Sequence, residues 1–82
     1  MRFIDVHTDM QGIDQEMFTN AHQMDAQFEQ EEGVHFLHAW ADAKAGKLFC
    51  LSEGPNKEAV LRVHERAGHP ASEIYEVSIE SD

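Results

Sequence analysis

Cys50 is the only cysteine among 82 residues, so no intrachain disulfide can brace the fold. A chain of this length buries a smaller fraction of its surface than larger domains do, which leaves oligomerisation or metal as reinforcement. A lone thiol also suits a reducing compartment. Basic residues are scarce: six Lys and Arg stand against sixteen Asp and Glu, a formal charge of −10. Such a surface repels nucleic acid and anionic membranes, which demand neutralisation of phosphate, and gathers cations instead. No apolar stretch approaches the roughly 20 residues that span a bilayer. The first residues, MRFIDVHTDM, place Asp5 and Asp9 where an export signal would need an apolar run, so a cytoplasmic location is expected. Low-complexity tracts and linkers are missing, and the length sets one domain over 1–82. Also absent are H-E-x-x-H, C-x-x-C and an EF-hand loop. Against these absences stand six histidines, an unusual number for so short a chain.

Hydrophobic periodicity predicts six elements. Residues 2–8 alternate as a strand, with Ile4 and Val6 on one side and Phe3, Asp5 and His7 on the other. Asp14 is positioned to cap a helix over 15–32, with Met17, Ala21, Met24 and Phe28 as its inner stripe and Gly33 as a left-handed stop. Glu29, Glu31 and Glu32 crowd its last turn, the wrong sign for the helix dipole, and so call for a cation or a partner. Strands follow over 34–41 and 47–53, joined by a hairpin loop. Asn56 caps a second helix whose inner side carries Val60, Val63 and Ala67, Gly68 closes it, and residues 73–79 form the last strand. The order β-α-β-β-α-β is ferredoxin-like: a four-stranded antiparallel sheet, strands 1 and 3 central, with two helices on one face.

A sheet covered on one face alternates apolar and polar residues. Here the strands are apolar in both phases, and the assigned sides leave Phe3, Phe36, Trp40 and Ile74 uncovered. A patch of that kind predicts face-to-face pairing of two copies, a homodimer.

The histidines divide by element. Counted from their caps, His22 and His64 occupy the same position on the two helices and fall at matched depth, about 12 Å along each axis. Asp25, three residues after His22, could accept the proton of a ring nitrogen not bound to metal. On the sheet, Asp5, His7 and His38 are assigned to the uncovered face. Cys50 joins them only in one of two hairpin registers, because a slip of one residue reverses every side chain. Imidazole, thiolate and carboxylate together suit Ni(II), Zn(II) or Cu(II) and not Ca(II) or Mg(II). His69, in the Gly-His-Pro turn, is a further candidate reached from a loop, and His35 belongs to an edge strand facing water. Each histidine could equally be a packed ring bonded to a backbone carbonyl.

The segments FIDVH (3–7), AH (21–22), GV-x-F-L (33–37), W-A-D-x-x-A-G (40–46), FCLSEGP (49–55), EAV-x-x-VHE-x-AGHP (58–70) and EIYEV (73–77) resemble a family of small bacterial proteins. That family includes a nickel-binding member with a dimeric ferredoxin-like fold. The resemblance implies a nickel-binding homodimer with a role in sequestering or tolerating the metal. His7, His22, Cys50, His64 and His69 fall within the matching segments, whereas His35 and His38 do not. An enzyme is the competing expectation: a small cofactor-free catalyst with His7 or His64 as general base and Trp40 and Phe36 lining its pocket.

Overall fold

The computed structural model describes residues 1–81. In chain order the elements are β1 (Arg2–His7), α1 (Gln15–Ala26), α2 (Glu29–Glu32), β2 (His35–Asp42), β3 (Lys47–Glu53), α3 (Lys57–Arg66) and β4 (Glu73–Glu76). The sheet runs β2-β3-β1-β4 with every neighbouring pair antiparallel, the ferredoxin-like order. No helix among the described residues is long and apolar enough to cross a membrane.

Both helix starts follow from their caps. Asp14 accepts the Met17 N–H at 2.8 Å and Asn56 accepts the Ala59 N–H at 2.9 Å, each satisfying a donor that the first turn leaves orphaned. Gly33 closes α2 at φ 69° and Gly68 follows α3 at φ 88°, conformations in which a Cβ would be strained. The helix expected over 15–32 is broken. The Phe28 N–H turns back to the Asp25 carbonyl at 3.0 Å, a tighter turn that ends α1 and restarts the chain as α2. This turn carries Phe28 beneath the Arg66 guanidinium, 4.5 Å from the ring centre. It also explains the acidic last turn: Glu32 pairs with Arg62 at 2.9 Å and Glu31 with Arg66 at 2.8 Å across to α3. The last strand stops at Glu76, short of the expected 79.

Strand register decides which side chains meet the helices. Asp5 pairs with Cys50 and Ile74, Phe3 with Ser52, and Ser52 with Phe36, so these residues share one side of the sheet. That side is the covered one, since Phe3 and Ser52 are fully buried and Phe36 lies 5.0 Å from the His64 ring of α3. Sides assigned by hydrophobicity put Ile4 and Val6 inward; the structure puts Phe3, Asp5 and His7 there. Two polar residues occupy core positions because α1 and α3 bring polar partners to meet them. The same correction moves Phe36 and Ile74 beneath the helices, and of the four residues expected uncovered only Trp40 stays out.

A register shift between Phe36 and His38 reverses the phase of β2 midway. Phe36 therefore points into the core while His38 and Trp40 meet edge to face on the outer face, ring centres 4.6 Å apart. The core joins Phe3, Val34, Phe36, Leu48 and Cys50 to Ala59, Val60 and Val63 of α3. Each fully buried valine is worth about 1.5–3 kcal/mol. Helix α1 behaves differently: Met17 and Met24, expected inward, are exposed, and its one buried residue is Asp25.

Candidate metal centre

The polar group at the centre of the fold is assembled from four elements. Strand β1 supplies Asp5 and His7, β3 supplies Cys50 opposite Asp5, α1 supplies Asp25, and α3 supplies His64. His69 arrives from the turn between α3 and β4, held by its own N–H on the His64 carbonyl at 3.0 Å. Asp5 and His64 are fully buried, Asp25, Cys50 and His7 nearly so, and the His69 side chain is 15% exposed.

His64 is the hub. Its Nδ1 lies 2.9 Å from Asp25 Oδ1 and its Nε2 lies 2.9 Å from Asp5 Oδ2. Burial drives an imidazole toward its neutral form, but here the hydrogen bonds to Asp25 and Asp5 outweigh it and push the His64 pKa up to about 11. The reciprocal effect acts on the acids. Burial alone would raise them, yet the hydrogen bonds to His64 outweigh it and hold Asp5 and Asp25 below the ordinary carboxylate value. Burial pushes the Cys50 thiol up, partly offset by its contact with His64. Without metal the centre is a buried imidazolium between two carboxylates.

Two flanking rings are not satisfied in this way. The His7 Nδ1–H donates to the Pro70 carbonyl at 3.2 Å. His7 Nε2 stands 2.9 Å from Asp5 Oδ1, and neither atom has a well-aligned hydrogen bond. His69 Nε2 stands 2.7 Å from Asp25 Oδ1 and is likewise unpartnered. Buried polar atoms left without a hydrogen bond are costly, and a cation beside them would satisfy them.

Two groups of side chains could hold an ion: Asp5, His7, Cys50 and His64, and Asp25, His64 and His69, with all donor atoms of a group within 4.8 Å of one another. Nitrogen, sulfur and carboxylate oxygen together form a borderline-soft donor set that fits a late divalent transition ion. The donors present therefore fit such a metal.

Of the candidate residues, His7, Cys50, His64, His69 and Asp25 converge on this centre. Cys50, whose side the hairpin loop leaves open, lies on the covered face. His22 belongs to neither group; it is half-buried with its ring 6.4 Å from Phe36. Asp25 serves His64 rather than His22, because it lies on the side of α1 that faces α3. Asp5 lies beneath the helices and not on the outer face. Its place as the second carboxylate on His64 was signalled only by the Asp-x-His alternation of β1.

A model of the family described as "Nickel responsive protein SCO4226-like" matches residues 3–77. The crystal structure of SCO4226 from Streptomyces coelicolor A3(2) is similar at 53% identity, covering 99% of this chain and 100% of that one, with a TM-score of 0.97. The NMR structure of the heavy metal binding protein TM0320 from Thermotoga maritima is 19% identical, covers 94% of this chain and 100% of that one, and shares the fold at a TM-score of 0.54. No functionally curated protein matches. The chain belongs to the SCO4226-like family of nickel-responsive proteins.

Proposed function

We propose that this protein binds a divalent transition ion, nickel foremost with zinc and copper as alternatives, at the buried centre formed by Asp5, His7, Cys50 and His64. The observation that carries this reading is the unpartnered pair of His7 Nε2 and Asp5 Oδ1, two buried polar atoms 2.9 Å apart. Membership of a nickel-responsive family supports the choice of metal. Holding an ion inside a small acidic domain fits sequestration or tolerance in the cytoplasm, with the whole chain as one functional unit. Each protonated donor must release its proton as the ion enters, so affinity rises with pH. Calorimetric titration with Ni(II) in a buffer without chelators is the test, expected to give binding at about pH 7.5 and little at about pH 5.5. His7→Ala is expected to lower the affinity by orders of magnitude. Undiminished binding by that variant would place the ion elsewhere.

The working unit is a homodimer paired through the outer sheet face. That face carries Ile4, Phe49 and Leu51 with Trp40 at 46% and Tyr75 at 51% exposure, a surface that a monomer leaves in water. Sedimentation equilibrium measures this directly. A monomer at micromolar concentration would refute it.

A further inference from the structure

Strand β2 carries small residues after its bulge. Phe36 fills the covered side ahead of the shift, but beyond it the residues that face the helices are Ala39 and Ala41, paired with Cys50 and Leu48. Helix α1 does not close the gap, since the one residue it buries, Asp25, lies in its last turn. A hollow of about 330 Å³ remains between the start of α1 and the end of β2. Ligand pockets span about 300–1,000 Å³, so there is room for a small molecule only. Ile13 and Phe18 wall the hollow on the helix side, Ala39 and Ala41 on the strand side, and the exposed Asp14 and Gln15 stand at its mouth. None of these residues belongs to either group of candidate metal ligands. The lining carries one formal charge, that of Asp14, and no Lys, Arg or His. Asp14 spends Oδ1 on the Met17 N–H at 2.8 Å, and its second oxygen makes no side-chain hydrogen bond among the described residues. A helix start ordinarily draws anions, but here the cap is itself an anion on a chain of formal charge −10, so an anionic guest is repelled.

We propose that this hollow binds a small organic ammonium ion with a flat apolar arm. The arm displaces water from Ile13, Phe18 and the two alanines, and the Phe18 ring gives an aromatic arm a partner. The ammonium stays at the mouth, where the second oxygen of Asp14 pairs with it. Alanine is what makes the room, because a longer side chain at position 41 would occupy the space the arm takes. An ion pair in contact with water adds a small factor, so the walls supply most of the affinity and the carboxylate supplies the selectivity. A neutral molecule of the same shape uses the walls alone, and a carboxylate meets Asp14 as a like charge. The hollow works whether or not a metal is bound elsewhere in the fold.

Nuclear magnetic resonance titration of the isotope-labelled full chain tests this with 2-phenylethylamine, 2-phenylethanol and 3-phenylpropionate at matched ionic strength and neutral pH. The three probes are a cation, a neutral molecule and an anion of similar shape. The amine is expected to shift the backbone amides of residues 13–18 and 39–43 saturably, with the alcohol about threefold to fivefold weaker and the acid without effect. Ala41→Leu is expected to weaken the amine about tenfold by filling the hollow. Asp14→Asn keeps a side chain that caps α1, and is expected to bring the amine down to the affinity of the alcohol while leaving the alcohol unchanged. No saturable shift by the amine in those two segments, equal shifts from the acid, or undiminished amine binding by either variant would overturn the proposal. Shifts of the same amides on dilution alone, without any probe, would assign the hollow to a second copy of the chain and overturn it as well.

Discussion

Replacing His64 by alanine in the metal-free protein leaves Asp5 and Asp25 as buried carboxylates without the ring that bonds both. Removing one partner of a buried ion pair costs about 3–5 kcal/mol, since the remaining charge has neither water nor counter-ion. A domain of this size has only about 4–12 kcal/mol in total. At about 4–8 °C per kcal/mol, the melting temperature should fall by about 12–40 °C. The pH dependence has a defined sign. His64 titrates at about 11 in the fold against 6.5 when free, so its contribution is complete below about pH 6.5 and is lost as pH climbs toward 11. Asp5 and Asp25 are lowered from 3.8, so theirs is present above that value and disappears in acid. Circular-dichroism melts with chelator should therefore be highest between about pH 4 and 6.5 and decline toward about pH 9.5, a slope that His64→Ala flattens. A variant melting within about 5 °C of the parent, or a parent that gains stability with alkalinity, would refute the charged triad.

Further expectations address separate parts of the molecule. Added nickel should raise the melting temperature little at about pH 5.5 and increasingly toward about pH 8, opposite to the metal-free trend, and scanning calorimetry across that range checks it. Gly33→Ala should cost about 1–2 kcal/mol in urea unfolding, because the added methyl meets only Pro55 Cδ at 3.9 Å and the penalty is that of a left-handed backbone. Asp14→Ala should cost about 1 kcal/mol through the lost cap, read from the same denaturant midpoints. Trp40→Glu should abolish self-association in sedimentation experiments without lowering the melting temperature of the monomer, since that ring lies outside the core.

Much of the fold is legible in the residues themselves. The caps Asp14 and Asn56, the stops Gly33 and Gly68, and the β-α-β-β-α-β order all depend on local chemistry that a sequence displays directly. The sides of the sheet are harder. Hydrophobicity sends Asp5 and His7 to the surface, and only the approach of His64 and Asp25 from two helices makes their burial affordable. The exposure of Met17 and Met24 has the same origin, because the inner side of α1 is committed to a carboxylate and to ring contacts that a hydrophobic stripe does not register. His22 and His64 match in the count from their caps, yet depth along an axis does not fix rotation about it.

The bulge at Leu37 has a further consequence for how this molecule meets others. Strand β2 is a sheet edge eight residues long, the kind of border on which a foreign strand can lay itself down, ladder upon ladder. One surplus residue bends and twists that border near its start, so an arriving strand finds a matching run of amides over only part of its length. Growth sideways into ribbons is discouraged, and contact between flat outer faces remains the open route.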